Sequence, residues 1–179
     1  PDMQAKIKSA KILVYDDARG STVILPRINK ALEGLGLTGS NVVNFNDESG
    51  NFLKSLQDGS TWDLIILGDE DRNPTRFGIW DTLKEHVDRK SALIVETWYL
   101  NQISDSQITP MMKECGFEIQ DNWERDQEGF NPVRYALYPL IKDHSVFTTP
   151  NVLALPLRLN WVWFGDVGDI YRLSKDSKA

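Results

Sequence analysis

One cysteine, Cys115, and two histidines, His86 and His144, are all that 179 residues contain of the strongest metal-binding side chains. A single cysteine excludes an internal disulfide and any cysteine-based zinc cluster. Two histidines so far apart argue against a histidine-rich metal centre. No apolar run approaches the ~20 residues of a membrane-spanning helix, so membrane insertion is not expected. Positive charge is also scarce, with 20 Lys+Arg against 26 Asp+Glu and a net charge of −6. That balance argues against sequence-independent nucleic-acid binding and against a polybasic membrane anchor. No signal peptide is visible, and a start at Pro1 is expected of a processed product or an excised piece. An exported domain of a processed precursor and a cytoplasmic domain both fit.

What is present is a chain 41% hydrophobic and 26% charged, long enough to bury a full core. A single domain over residues 1–179 is expected. It comprises a polar lead-in at 1–10, an alternating β/α core at 11–120, and a loop and strand-rich extension at 121–179. Lys11-Ile12-Leu13-Val14-Tyr15 and Asp63-Leu64-Ile65-Ile66-Leu67 are continuous apolar runs, the pattern of strands buried on both faces. Val42-Val43-Asn44-Phe45, Ala92-Leu93-Ile94-Val95 and Gly116-Phe117-Glu118-Ile119 read as further strands. Between them, Ile24, Ile28, Ala31, Leu32 and Leu35 recur at helical spacing, with Ser21 or Thr22 as N-cap and Pro26 in the first turn. Phe52, Leu53 and Leu56 form a second amphipathic stripe, and Phe77, Trp80, Leu83 and Val87 a third. Ile108, Met111, Met112 and Cys115 form a fourth, which places Cys115 in the core as a small hydrophobe. His86 is read as a surface residue. Such alternation predicts an α/β fold with a mainly parallel central sheet and helices on both faces. Beyond residue 121, the runs 135–141, 152–155, 161–164 and 170–173 are β-prone and would add edge strands.

In a parallel sheet, ligands dock beyond the carboxyl ends of the strands. Those ends carry Asp16-Asp17, Asn46-Asp47, Asp69-Glu70-Asp71 and Glu96-Thr97. Asp16, Asp17 and Asp69 are the residues that could hold a hard divalent cation. The favoured alternative is solvated loop acids and helix caps, so no metal and no cofactor is expected. Trp98 and Tyr99 follow the fourth strand and either plug the pocket or stack on a planar ligand. His144 lies in a loop, where positioned polar groups more often matter. The ligand-binding candidates are therefore Asp16, Asp17, Asp69, Glu70, Glu96, Thr97, Trp98, Tyr99 and His144. Gly34, Gly36 and Gly39 match G-x-G-x-x-G but close a helix instead of opening one, so they predict a helix stop and a turn.

The order of elements, the Asp16-Asp17 strand end, the segment from Trp62 to Asp69 and the Asp143-His144-Ser145-Val146-Phe147 loop resemble the class I glutamine amidotransferase-like superfamily. The likeness covers most of residues 11–173 and implies a flavodoxin-like three-layer sandwich. Active members carry a cysteine in a G-x-C-x-G elbow after the corresponding strand, with a downstream His-x-Glu. Here the elbow reads Val95-Glu96-Thr97-Trp98-Tyr99-Leu100, and Ser145 and Val146 follow His144. The resemblance therefore implies a non-catalytic branch that binds an unknown small molecule or protein, in an oligomeric state left open. Two alternatives stand beside it. One is a hydrolase using His144 or a divalent metal at the acidic strand ends. The other is a degenerate receiver-like signalling domain, resembled by Asp16-Asp17 and Thr97. A receiver closes its third strand with aspartate; Gly68 stands there, with Asp69 one residue later.

Overall fold

The computed structural model describes residues 3–17, 27–69, 79–97, 111–121, 143–149, 152–154 and 170–175. Its elements are α1 (Met3–Ser9), β1 (Ile12–Asp17), α2 (Arg27–Gly34), β2 (Val42–Asn44), α3 (Ser49–Gln57), β3 (Leu64–Asp69), α4 (Ile79–Asp88), β4 (Ala92–Thr97), β5 (Phe117–Asp121) and β6 (Ile170–Leu173). The chain divides into two compact units, one of Pro1–Glu118 with Leu173–Ala179 and one of Ile119–Arg172.

The first unit is built on a four-stranded parallel sheet of order β2-β1-β3-β4. The two unbroken apolar runs, β1 and β3, take its centre, as burial on both faces requires. Side chains alternate across the sheet. On one face Ile12, Val14 and Ile66 pack with Leu32 of α2 and with Leu37, and Ile28, Val42 and Leu64 close around them. On the other, the Tyr15 ring meets Phe52 of α3 at a centroid distance of 5.5 Å. Trp80 and Leu83 of α4 are fully buried as well. Each such side chain contributes about 1.5–3 kcal/mol by leaving water.

The β-strands enter the sheet through polar brackets at their amino ends. The Asp63 carboxylate accepts the Lys11 N–H at 2.8 Å. The Asn41 amide donates to the Ala10 carbonyl at 2.6 Å and to Lys8 at 3.1 Å. At the carboxyl end β1 is held unequally. It pairs with β3 over six residues and with β2 over three. Past β2, Phe45 N–H donates to Val14 and Asp16 N–H to Asn46, each at 3.1 Å.

Helix α2 stops as the glycine pattern predicts. Leu37 N–H donates to Leu32 at 2.8 Å and Gly36 N–H to Glu33 at 2.9 Å, with Gly36 at φ +70. This is the Schellman arrangement, completed by the apolar pair Leu32 and Leu37. The G-x-G-x-x-G match is therefore a helix terminator.

Several expectations need correcting. The lead-in contains a helix, α1, because Met3, Gln4, Ala5 and Lys6 all favour helix. His86 is buried, 1% exposed, since it falls three residues after Leu83 on the inward stripe of α4. Cys115 is exposed. The helical turn ends at residue 114, so helical spacing carries Met111 and Met112 inward but not Cys115. β5 pairs with β6, not with the four-stranded sheet; its Phe-Glu-Ile-Gln-Asp alternation suits a half-exposed sheet. Residues 152–154 form no strand, and Val152 is 81% exposed. The expected runs at 135–141 and 161–164, the N-cap at Ser21 or Thr22, and Ile108 lie outside the described residues. Among the described residues, no helix is long and apolar enough to cross a membrane.

Candidate functional site

Strand order reverses between β1 and β3: the chain passes from β1 outward to β2, then returns across β1 to β3 and β4. In open parallel sheets, ligands dock beyond the carboxyl ends of the strands at such a reversal. The parallel register aligns two rows of residues beneath it. Asp16 pairs with Gly68 and Gly68 with Glu96. One step further, Asp17 pairs with Asp69 and Asp69 with Thr97. Neighbouring strands lie about 4.8 Å apart, so each row spans roughly 10 Å of backbone.

Within the first row, Asp16 is buried and Glu96 exposed. Between them Gly68 leaves room for α2. A Cβ on Gly68 would collide with Ile28 Cδ1 and stand 3.3 Å from the Tyr15 carbonyl oxygen. The missing side chain therefore lets the first turn of α2 settle against the end of β3. On the β2 side of Asp16 stands a turn. Asn46, at φ +47, donates its N–H to the Asn44 side-chain oxygen at 2.7 Å and offers its own carbonyl to Asp16. Asparagine tolerates this left-handed backbone because its amide supports the turn locally.

Comparison with family models, curated proteins and solved structures gives no match for this chain.

Five of the nine expected ligand-binding residues fall in the two aligned rows: Asp16, Asp17, Asp69, Glu96 and Thr97. Glu70, Trp98 and Tyr99 lie outside the described residues. His144 belongs to the second unit, where it is exposed and meets Phe147 edge-on at 6.4 Å, just before a 3-10 turn at Ser145–Phe147. Among the described residues, no group of three or more His, Cys, Asp or Glu side chains could hold a metal ion. Cys115 has its thiol pKa pushed up, first by partial desolvation and then by the Glu114 carboxylate. Such a thiol is the reverse of an activated nucleophile. Sequence reasoning missed the Gly68–Ile28 fit; its one signal was a glycine closing an otherwise apolar strand.

Proposed function

We propose that this chain is a catalytically inactive, amidotransferase-like binding or interaction domain of flavodoxin-like architecture. Its ligand, a small molecule or a segment of a protein, docks above the carboxyl ends of β1 and β3. One observation carries the reading: the strand-order reversal stands above two aligned rows that hold Asp16, Asp17, Asp69, Glu96 and Thr97. Thr97 ends β4, where an amidotransferase would turn into its cysteine elbow. Its hydroxyl has no base identified by sequence, and an unactivated hydroxyl is a poor nucleophile. Trp98 and Tyr99 follow directly, where a nucleophile elbow needs small residues. The surroundings of the chain's single thiol disfavour its thiolate form.

The test is a glutaminase, esterase and peptidase screen on wild type and Thr97→Ala, beside thermal shift against a metabolite library. Absence of turnover, with ligand-induced stabilisation reduced in Trp98→Ala, supports a binding domain. Turnover abolished by Thr97→Ala at an unchanged melting temperature overturns it.

One observation favours a second reading. The register sets Asp69 opposite both Asp17 and Thr97, the juxtaposition a receiver-like domain uses. Stable phosphorylation by acetyl phosphate, lost in Asp69→Asn, would select that reading over the first.

A further inference from the structure

The end of α3 holds an Asp-Gly pair, Asp58-Gly59, in a defined geometry. Asp58 caps the helix at φ −77 and ψ 3, and Gly59 follows in the left-handed region at φ +85. Both residues are exposed, and nothing lies within 4 Å of the space a Gly59 side chain would fill. In such a pair the unhindered glycine nitrogen can attack the aspartate side-chain carboxyl carbon. Two features of the fold oppose that attack. At ψ 3 the Gly59 nitrogen is rotated away from the side chain it would have to reach. The Asp58 carboxylate is also engaged, its Oδ1 accepting the Ser60 N–H at 2.8 Å. The Ser60 hydroxyl and N–H hold the carboxyl pKa below its ordinary value, which disfavours the protonated acid from which the ring closes. The surrounding turn is pinned from both sides. Trp62 Nε1–H donates to Ser55 at 3.2 Å, and the His86 ring meets the Leu56 carbonyl at 2.8 Å.

We propose that Asp58-Gly59 is a covalent modification site, converting to isoaspartate whenever the end of α3 opens and guarded by Ser60 while it is folded. The Gly59 nitrogen bonds to Asp58 Cγ, a C–O bond breaks, and one water leaves to give a cyclic imide. Water then re-enters at the main-chain carbonyl, and the backbone continues through Cβ. The reaction needs no cofactor and no oxidant. The product lengthens the turn by one methylene and removes the carboxylate from Ser60, so the original cap cannot re-form.

The experiment incubates the full chain at neutral pH, folded and in urea, and quantifies isoaspartate at position 58 by peptide mapping. Reaction through an opened state should make the folded chain at least ~10-fold slower than the unfolded one. Ser60→Ala should raise the folded rate several-fold, and Asp58→Glu, which disfavours the five-membered ring, should abolish the signal. Equal rates in the folded and unfolded chain, or no isoaspartate in the unfolded chain, would overturn the proposal. If Ser60→Ala does not fold, the wild-type comparison decides alone.

Discussion

Lys90 occupies at the end of α4 the place that Gly36 occupies after α2. Ser91 N–H donates to His86 at 3.0 Å and Lys90 N–H to Val87 at 2.9 Å, repeating the bonds of Leu37 and Gly36. Both pivots lie in the left-handed region, Gly36 at φ +70 and Lys90 at φ +77. A side chain there presses its Cβ on the following carbonyl, at a cost of about 1–2 kcal/mol. Lys90→Gly should therefore stabilise the fold by roughly 1 kcal/mol, after the added flexibility of glycine is set against the relief. Urea unfolding of the two proteins checks this; a destabilised variant would refute it.

His86 joins α4 to α3 through the Leu56 carbonyl. A carbonyl only accepts, so Nε2 carries the hydrogen. His86→Leu should cost about 1–3 kcal/mol by orphaning that carbonyl in the interior. His86→Gln, which keeps a donor, should recover part of the loss in the same equilibrium measurement.

Gly68 and Ile28 share one volume. Gly68→Val should destabilise by about 1–3 kcal/mol, the range for overpacking. Gly68→Ala should be milder, because the Ile28 end group can rotate away. In the double variant with Ile28→Val the loss should be less than additive, and a double-mutant cycle measures that coupling.

Cys115 should react with a thiol reagent in the native protein, but slowly near neutrality, its rate climbing with pH past that of an unfolded control peptide's plateau. The sign follows from the raised thiol pKa. Deprotonation is disfavoured in the fold, so any stabilisation is complete below the unfolded thiol pKa. It is lost as pH rises through the folded one. Because the residue is exposed, Cys115→Ser should change stability by no more than ~0.5 kcal/mol.

The central strands were legible because burial on two faces leaves an unambiguous mark, the unbroken runs from Ile12 to Tyr15 and Leu64 to Leu67. Their acidic ends were equally plain, and the parallel register then aligns Asp17, Asp69 and Thr97. Residues whose fate depends on where a helix stops were not legible. Cys115 keeps helical spacing with Met111 and Met112 in sequence, yet the helix has ended one residue earlier. His86 was hidden for a different reason: polarity suggests the surface, whereas a single carbonyl partner makes burial affordable. The partner of β5 escaped prediction because a five-residue strand carries no information about its neighbour.

The unequal pairing of β1 gives its carboxyl end a stiff flank and a yielding flank. Toward β3 every residue from Ile12 to Asp17 is matched, so separating the strands there means unzipping the ladder along its whole length. Toward β2 the ladder stops at Val14, and beyond it the bonds from Phe45 N–H to Val14 and from Asp16 N–H to Asn46 tie β1 to the turn. Parting β1 from its neighbours therefore breaks a shorter ladder on the β2 flank than on the β3 flank. Hydrogen exchange at Asp16 N–H should respond before any amide of β3.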